Sequence, residues 1–124
     1  MSTILVADAE PQIRRILGRL LEAEGHVCVF TGDGEDALRL AREGRPDLVL
    51  IDVEMPRCSG IEVLAALRQD EETRAMRVIL TCAGARLAAA AAGLIASADD
   101  FVTKPFDPDQ LVSRVRAALR RAPR

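Results

Sequence analysis

Leu48-Val49-Leu50-Ile51-Asp52-Val53-Glu54-Met55-Pro56 opens with four consecutive apolar residues, breaks at an acid and reaches a proline soon after. A run this short has the length of a strand. Its continuous rather than alternating apolarity fits a strand buried on both faces of a parallel sheet. Working outward, comparable short runs stand at Ile4-Leu5-Val6-Ala7, Val27-Cys28-Val29-Phe30, Val78-Ile79-Leu80 and Phe101-Val102, each separated from the next by enough chain for a helix.

The intervening segments supply those helices. Ile13, Ile16, Leu17, Leu20 and Leu21 fall on one helical face, with Pro11 suited to the first turn and Gly25 to the stop. Residues 35–43, before Gly44, give a shorter second helix. Ser59 with Glu62 has the form of a capping box opening a third helix through Val63, Leu64 and Leu67. A fourth is expected over Ala85 to Ala96, where alanine dominates and only Leu87, Leu94 and Ile95 are bulky and apolar. Asp107-Pro108-Asp109-Gln110 opens the last, through Leu111, Val115 and Leu119. Five alternations of strand and helix with short connections predict a doubly wound, three-layer α/β/α domain on a five-stranded parallel sheet, with right-handed crossovers.

Size and composition narrow the function. The 124 residues, 49% apolar and 29% charged, suit a single folded domain over 1–124, with residues 122–124 as a tail, and not a disordered chain. A net charge of −2, with no Trp or Tyr and only Phe30, Phe101 and Phe106, offers neither a positive field nor a stacking platform, so direct binding of nucleic acid is disfavoured. Cys28, Cys58 and Cys82 lack the close spacing of a zinc site and are expected to be reduced, packed thiols. Neither a signal peptide nor an apolar stretch of membrane-spanning length is present, so a cytoplasmic protein is expected, without a membrane partner.

In an open parallel sheet the ligand crevice lies beyond the carboxyl ends of the strands. Four of the strands are expected to end at Asp8, Asp52, Thr81 and Lys104, which would bring two carboxylates, a hydroxyl and an ammonium to one rim. A lone Asp or Thr at a strand end is ordinarily a turn former or cap. Lys104 stands apart because it is the only Lys among 17 cationic residues, the rest being Arg, and an ammonium is a compact, movable point charge where a guanidinium is a fixed fork.

These residues resemble the receiver domains of two-component response regulators across essentially the whole chain: Ile4-Leu5-Val6-Ala7-Asp8, then Asp52-Val53-Glu54-Met55-Pro56 with Gly60, then Thr81, then Lys104-Pro105-Phe106. The resemblance implies a flavodoxin-like strand order 2-1-3-4-5. It implies Asp52 as acceptor of a phosphoryl group from the phosphohistidine of a sensor histidine kinase or a phosphotransfer protein. Mg²⁺ would be held by Asp8, Asp52 and the backbone carbonyl of Glu54, while Lys104 and Thr81 engage phosphoryl oxygens. Thr81 and Phe101 would report the phosphoryl state on the face of the fourth helix, fifth strand and last helix, to a downstream effector protein or a homodimer partner. Beyond promoting its own phosphorylation and dephosphorylation, such a domain is not an enzyme.

One departure from the family pattern is chemical. Where the family usually has two adjacent acids after the first strand, this chain has Asp8 and then Ala9. Loss of a carboxylate is expected to weaken Mg²⁺ binding and slow phosphorylation; Glu10 and Glu54 are the nearby acids that could compensate. The alternative is a degenerate pseudo-receiver, a constitutive protein-interaction module with a broken metal site. No output domain is expected within these residues, whether the chain acts alone or belongs to a longer protein.

Overall fold

The computed structural model describes residues 1–84 and 95–122, apart from the side chain of Ile95. In chain order the elements are β1 (Thr3–Ala7), α1 (Pro11–Ala23), β2 (Val27–Thr31), α2 (Gly34–Gly44), β3 (Leu48–Asp52), α3 (Gly60–Gln69), β4 (Arg77–Ala83), a 3-10 turn (Ile95–Ser97), β5 (Asp100–Lys104) and α4 (Pro108–Arg120). The strands are all parallel, in the order β2-β1-β3-β4-β5, as expected for a flavodoxin-like sheet.

Side chains alternate across the sheet with a period of two, and both faces are covered. On one face Ile4, Val6, Leu48, Leu50, Ile79 and Val102 pack against Leu17 and Leu21 of α1 and Leu111, Val115 and Ala118 of α4. On the other, Leu5, Ala7, Val49, Ile51, Val78, Leu80 and Cys82 pack against Ala37 and Ala41 of α2 and Val63, Leu64 and Leu67 of α3. Double coverage is why the runs in β1, β3 and β4 are continuously apolar. Each fully buried Leu or Ile contributes roughly 2 kcal/mol, so the central strands anchor the fold.

Helix boundaries follow the local chemistry. Gly25, at φ 90°, ends α1 in the left-handed region. Ser59 and Glu62 form the complete capping box at α3, and the Asp107 carboxylate caps α4 ahead of Pro108.

Several expectations shift. The α2 helix runs through Gly44, and Arg45 at φ 47° makes the left-handed stop instead. Ile16 is 48% exposed rather than core, because it looks into a shallow groove beside Leu20 and Val112 between α1 and α4. The expected helix over 85–96 lies outside the described residues, except that Ile95 and Ala96 belong to the 3-10 turn. Thr81 does not end its strand, since β4 continues to Ala83. All three thiols are free; Cys82 is buried and the other two half-buried. Burial, reinforced by the Glu22 carboxylate, pushes the Cys28 thiol up to about 11. Among the described residues no helix is long and apolar enough to cross a membrane.

Candidate functional site

The rim is built by the same period-two rule as the core beneath it. On the face covered by α1 and α4, the sequence Ile4, Val6 leads two residues on to Asp8; Leu48, Leu50 leads to Asp52; Ile79 leads to Thr81; and Val102 leads to Lys104. Parallel register then sets these ends side by side. Asp52 pairs with Thr81 across β3 and β4, Ala7 pairs with Ile51, and Lys104 pairs with Ala83.

Lys104 is the hub. Its Nζ donates to Asp52 Oδ2 at 2.8 Å and stands 2.7 Å from Asp8 Oδ2, with Glu10 Oε2 at 4.0 Å. The Asp8 contact is an ion pair whose approach falls outside hydrogen-bonding angles, so Asp8 Oδ2, fully buried, has no hydrogen-bond donor among the described residues. Asp8 is otherwise tied down: its Oδ1 accepts from the Glu10 N–H at 2.9 Å, its N–H donates to the Thr31 carbonyl at 3.1 Å, and its carbonyl accepts from Arg14 Nη1 at 2.6 Å.

Two carboxylates and one ammonium leave this cluster with excess negative charge in a partly desolvated place. Burial raises the Asp52 carboxyl above its ordinary range, the Lys104 ammonium pulling the other way and the Asp8 charge adding to the rise. Burial acts to lower the Lys104 value, but the hydrogen bond to Asp52 and the attraction of both carboxylates outweigh that and hold the ammonium charged to higher pH than usual.

Of the other residues singled out by sequence, Thr81 is buried on the rung beside Asp52, and its carbonyl accepts from the Val53 N–H at 2.8 Å. Glu54 is exposed and touches the site through its backbone, its N–H donating to Asp52 Oδ1 at 3.5 Å. Glu10 is at the margin, with its side chain 64% exposed. Ala9 is exposed beside Asp8. Phe101 faces away from this cluster, half-buried against the core on the α2 and α3 side.

Two glycines hold the loop after Asp52 in place. A Cβ on Gly60 would lie 2.2 Å from the Asp52 carbonyl oxygen, and one on Gly34 would lie 1.7 Å from the Cys58 carbonyl oxygen, so only glycine lets α3 and α2 start there. Arg57 in that loop, at φ 70°, reaches Asp33, which caps α2, at 3.9 Å and Glu35 of α2 at 3.4 Å. Sequence reasoning passed over Arg14, Gly34 and Arg57 because their partners are main-chain atoms or residues brought close only by the fold.

A Mg²⁺-type cation takes oxygen ligands and typically one or two carboxylates, keeping several waters. Asp8 Oδ2, buried without a hydrogen-bond donor, and Asp52 are a donor set of that kind. Among the described residues no group of three acidic, His or Cys side chains is arranged to hold a metal ion by itself.

The family model described as the response regulator receiver domain matches residues 4–116. The DNA-binding response regulator MtrA of Mycolicibacterium smegmatis is 42% identical over 118 residues, which are 95% of this chain and 50% of that protein. The probable transcriptional regulatory protein TcrX of Mycobacterium tuberculosis is 42% identical over 119 residues, 96% of this chain and 50% of that protein. The chain thus spans about half the length of the curated relatives it matches. Among solved structures, the Thermotoga maritima response regulator TrrA in complex with Mg²⁺ and BeF superposes with a TM-score of 0.86 at 35% identity, covering 95% of this chain and 99% of that one. A Francisella response regulator receiver domain gives 0.86 at 31% identity, covering 96% and 97%.

Proposed function

The chain belongs to the response regulator receiver domain family, and on that premise we propose that Asp52 accepts a phosphoryl group from a phosphohistidine of a sensor histidine kinase or a phosphotransfer protein. The observation that carries the reading is the Lys104 ammonium bonded to Asp52 at 2.8 Å, beside Asp8.

In the transfer an Asp52 carboxylate oxygen forms a bond to phosphorus as the phosphorus–nitrogen bond breaks, and the imidazole leaves with the bonding pair. Two anions must meet, so positive charge has to be in place beforehand. Lys104, held charged by its two carboxylate neighbours, can move from Asp52 Oδ2 to an incoming phosphoryl oxygen without leaving Asp8. The hydroxyl of Thr81, the residue paired with Asp52 on the neighbouring strand, donates to a second oxygen. A bound Mg²⁺ would supply further neutralisation of the phosphoryl charge. Asp8, Asp52 and the Glu54 carbonyl are the groups to hold it, with Glu10 at the margin; Ala9 leaves this set one carboxylate poorer and makes binding weaker than in a receiver with both acids.

Phosphorylation switches partner binding through the surface of β5, α4 and the segment before β5, with Thr81 and Phe101 as the moving parts. The partner is a downstream effector or a second receiver, and the setting is cytoplasmic. Incubation with a small phosphodonor and Mg²⁺, read by intact mass, tests the reading. A labile adduct of about 80 Da, one phosphoryl group, that disappears in Asp52→Asn is the expected result. No adduct even with a cognate kinase would instead favour a pseudo-receiver that binds partners constitutively.

A further inference from the structure

β2 ends the sheet: β1 is its partner, and no strand lies on its other side among the described residues. Free edges are ordinarily protected by charge, proline or a bulge. The strand Val27-Cys28-Val29-Phe30-Thr31 has no charge and no proline. Of the five large apolar side chains exposed among the described residues, three are on it: Val27 at 47%, Val29 at 38% and Phe30 at 41%. They occupy both faces of the edge. Val27 and Val29, opposite Thr3 and Leu5, lie on the α2 side, while Phe30 lies against α1, where its ring would stand 2.7 Å from a Cβ on Gly18.

The flanking helix carries charge laid out along its axis. Arg15 is one turn before Gly18 and Glu22 one turn after it; both are exposed, and neither makes an ion pair among the described residues. With Arg14, Arg19 and Phe30 they surround a shallow concavity of about 340 Å³.

We propose that the β2 edge pairs with the β2 edge of a second copy of this chain, about a two-fold axis normal to the sheet, giving one continuous sheet across the dimer. Such an isologous contact runs the two β2 strands antiparallel and keeps both α1 helices on the same face. Each α1 then lies antiparallel to its twin, with Gly18 near the axis, and the Arg15 of one meets the Glu22 of the other twice by symmetry. This self-complementary order of charge, basic then acidic about a central glycine, favours a second copy over an unrelated strand. The surface is at the opposite end of the sheet from β5, so it is separate from the proposed output face.

Sedimentation equilibrium up to about 1 mM tests it on four proteins. Wild type is expected to dimerise, and Val29→Lys, a charge on an exposed edge position, to be monomeric with an unchanged circular dichroism spectrum. Arg15→Glu should weaken the dimer by roughly tenfold or more, since two attractions become repulsions. Arg15→Glu with Glu22→Arg should restore it. A wild type that stays monomeric overturns the proposal and leaves the edge to a strand of another protein. A Val29→Lys dimer as tight as wild type, or a double variant without rescue, overturns it as well.

Discussion

Residue 60 rests on the main chain of residue 52: a Cβ at Gly60 would stand 2.2 Å from the Asp52 carbonyl oxygen and 3.0 Å from Val53 Cα. The first turn of α3 is therefore seated on the strand end that carries the proposed phosphoacceptor. Gly60→Ala must push one of them aside. We expect a loss of about 2 kcal/mol in urea unfolding, the usual scale for overpacking a buried site, together with slower adduct formation at Asp52.

Lys104→Met would leave Asp8 and Asp52 buried beside each other with no cation between them. Stranding buried carboxylates costs about 3 kcal/mol. The loss should be largest at neutral pH and shrink on acidification, because protonated carboxyls need no counter-ion; urea midpoints at the two pH values measure it.

The proton linkage of Asp52 has a definite sign. Its folded carboxyl, raised mainly by burial, keeps its proton to higher pH than the unfolded chain at 3.8. Its favourable contribution is full below 3.8 and is lost as pH climbs through the raised folded value. Asp52→Asn should therefore gain thermal stability relative to wild type between acid and neutral pH, and a difference that does not change with pH would count against burial as the dominant cause. Lys104, also raised, keeps its contribution below 10.5 and loses it only at higher pH.

Residue 9 is exposed next to Asp8, so Ala9→Asp adds a carboxylate without disturbing the core. Titration with Mg²⁺ followed by amide NMR, in a chain without Trp, should show affinity raised by at least roughly tenfold. Equal affinities in the two proteins would refute the account of Ala9 given above.

Arg68 of α3 donates to the carbonyls of Ser97 at 2.9 Å, Arg74 at 3.1 Å and Met76 at 2.6 Å, and to Asp99 Oδ2 at 3.3 Å. Asp99 Oδ2 in turn accepts from the Val78 N–H at 2.7 Å. Arg68→Leu should cost about 3 kcal/mol, the scale of losing several charged hydrogen bonds at one half-buried side chain. Hydrogen exchange at Val78, the amide held by Asp99, should accelerate more than in the β1 amides.

Much of this was legible in the chain itself because the relevant signals are local. Continuous apolarity in Leu48 to Ile51 told of double coverage, Ser59 with Glu62 of a helix start, and a lone lysine after Phe101-Val102 of a special cation. What escaped was relational. Ile16 matched the apolar stripe of α1 yet faces a groove, since the stripe's width was set by where α4 lies. The hydroxyl of Thr81 breaks an apolar run and so reads as a strand end, whereas β4 keeps its ladder through Cys82 to Ala83. The grip of Arg68 leaves no sequence trace, as its Ser97, Arg74 and Met76 acceptors are main-chain carbonyls.

Because every member of the rim cluster is the rung that follows an apolar one on its own strand, chemistry and folding are written in different letters of the same word. Ile4, Val6, Leu48, Leu50, Ile79 and Val102 secure the architecture, and positions 8, 52, 81 and 104 merely inherit its alignment. Exchanging a terminal letter alters reactivity and the charge balance of the rim while the apolar contacts of the layers below stay in place. A domain built this way is open to retuning at its rim one residue at a time, and position 9, exposed beside Asp8, is a place for such an edit.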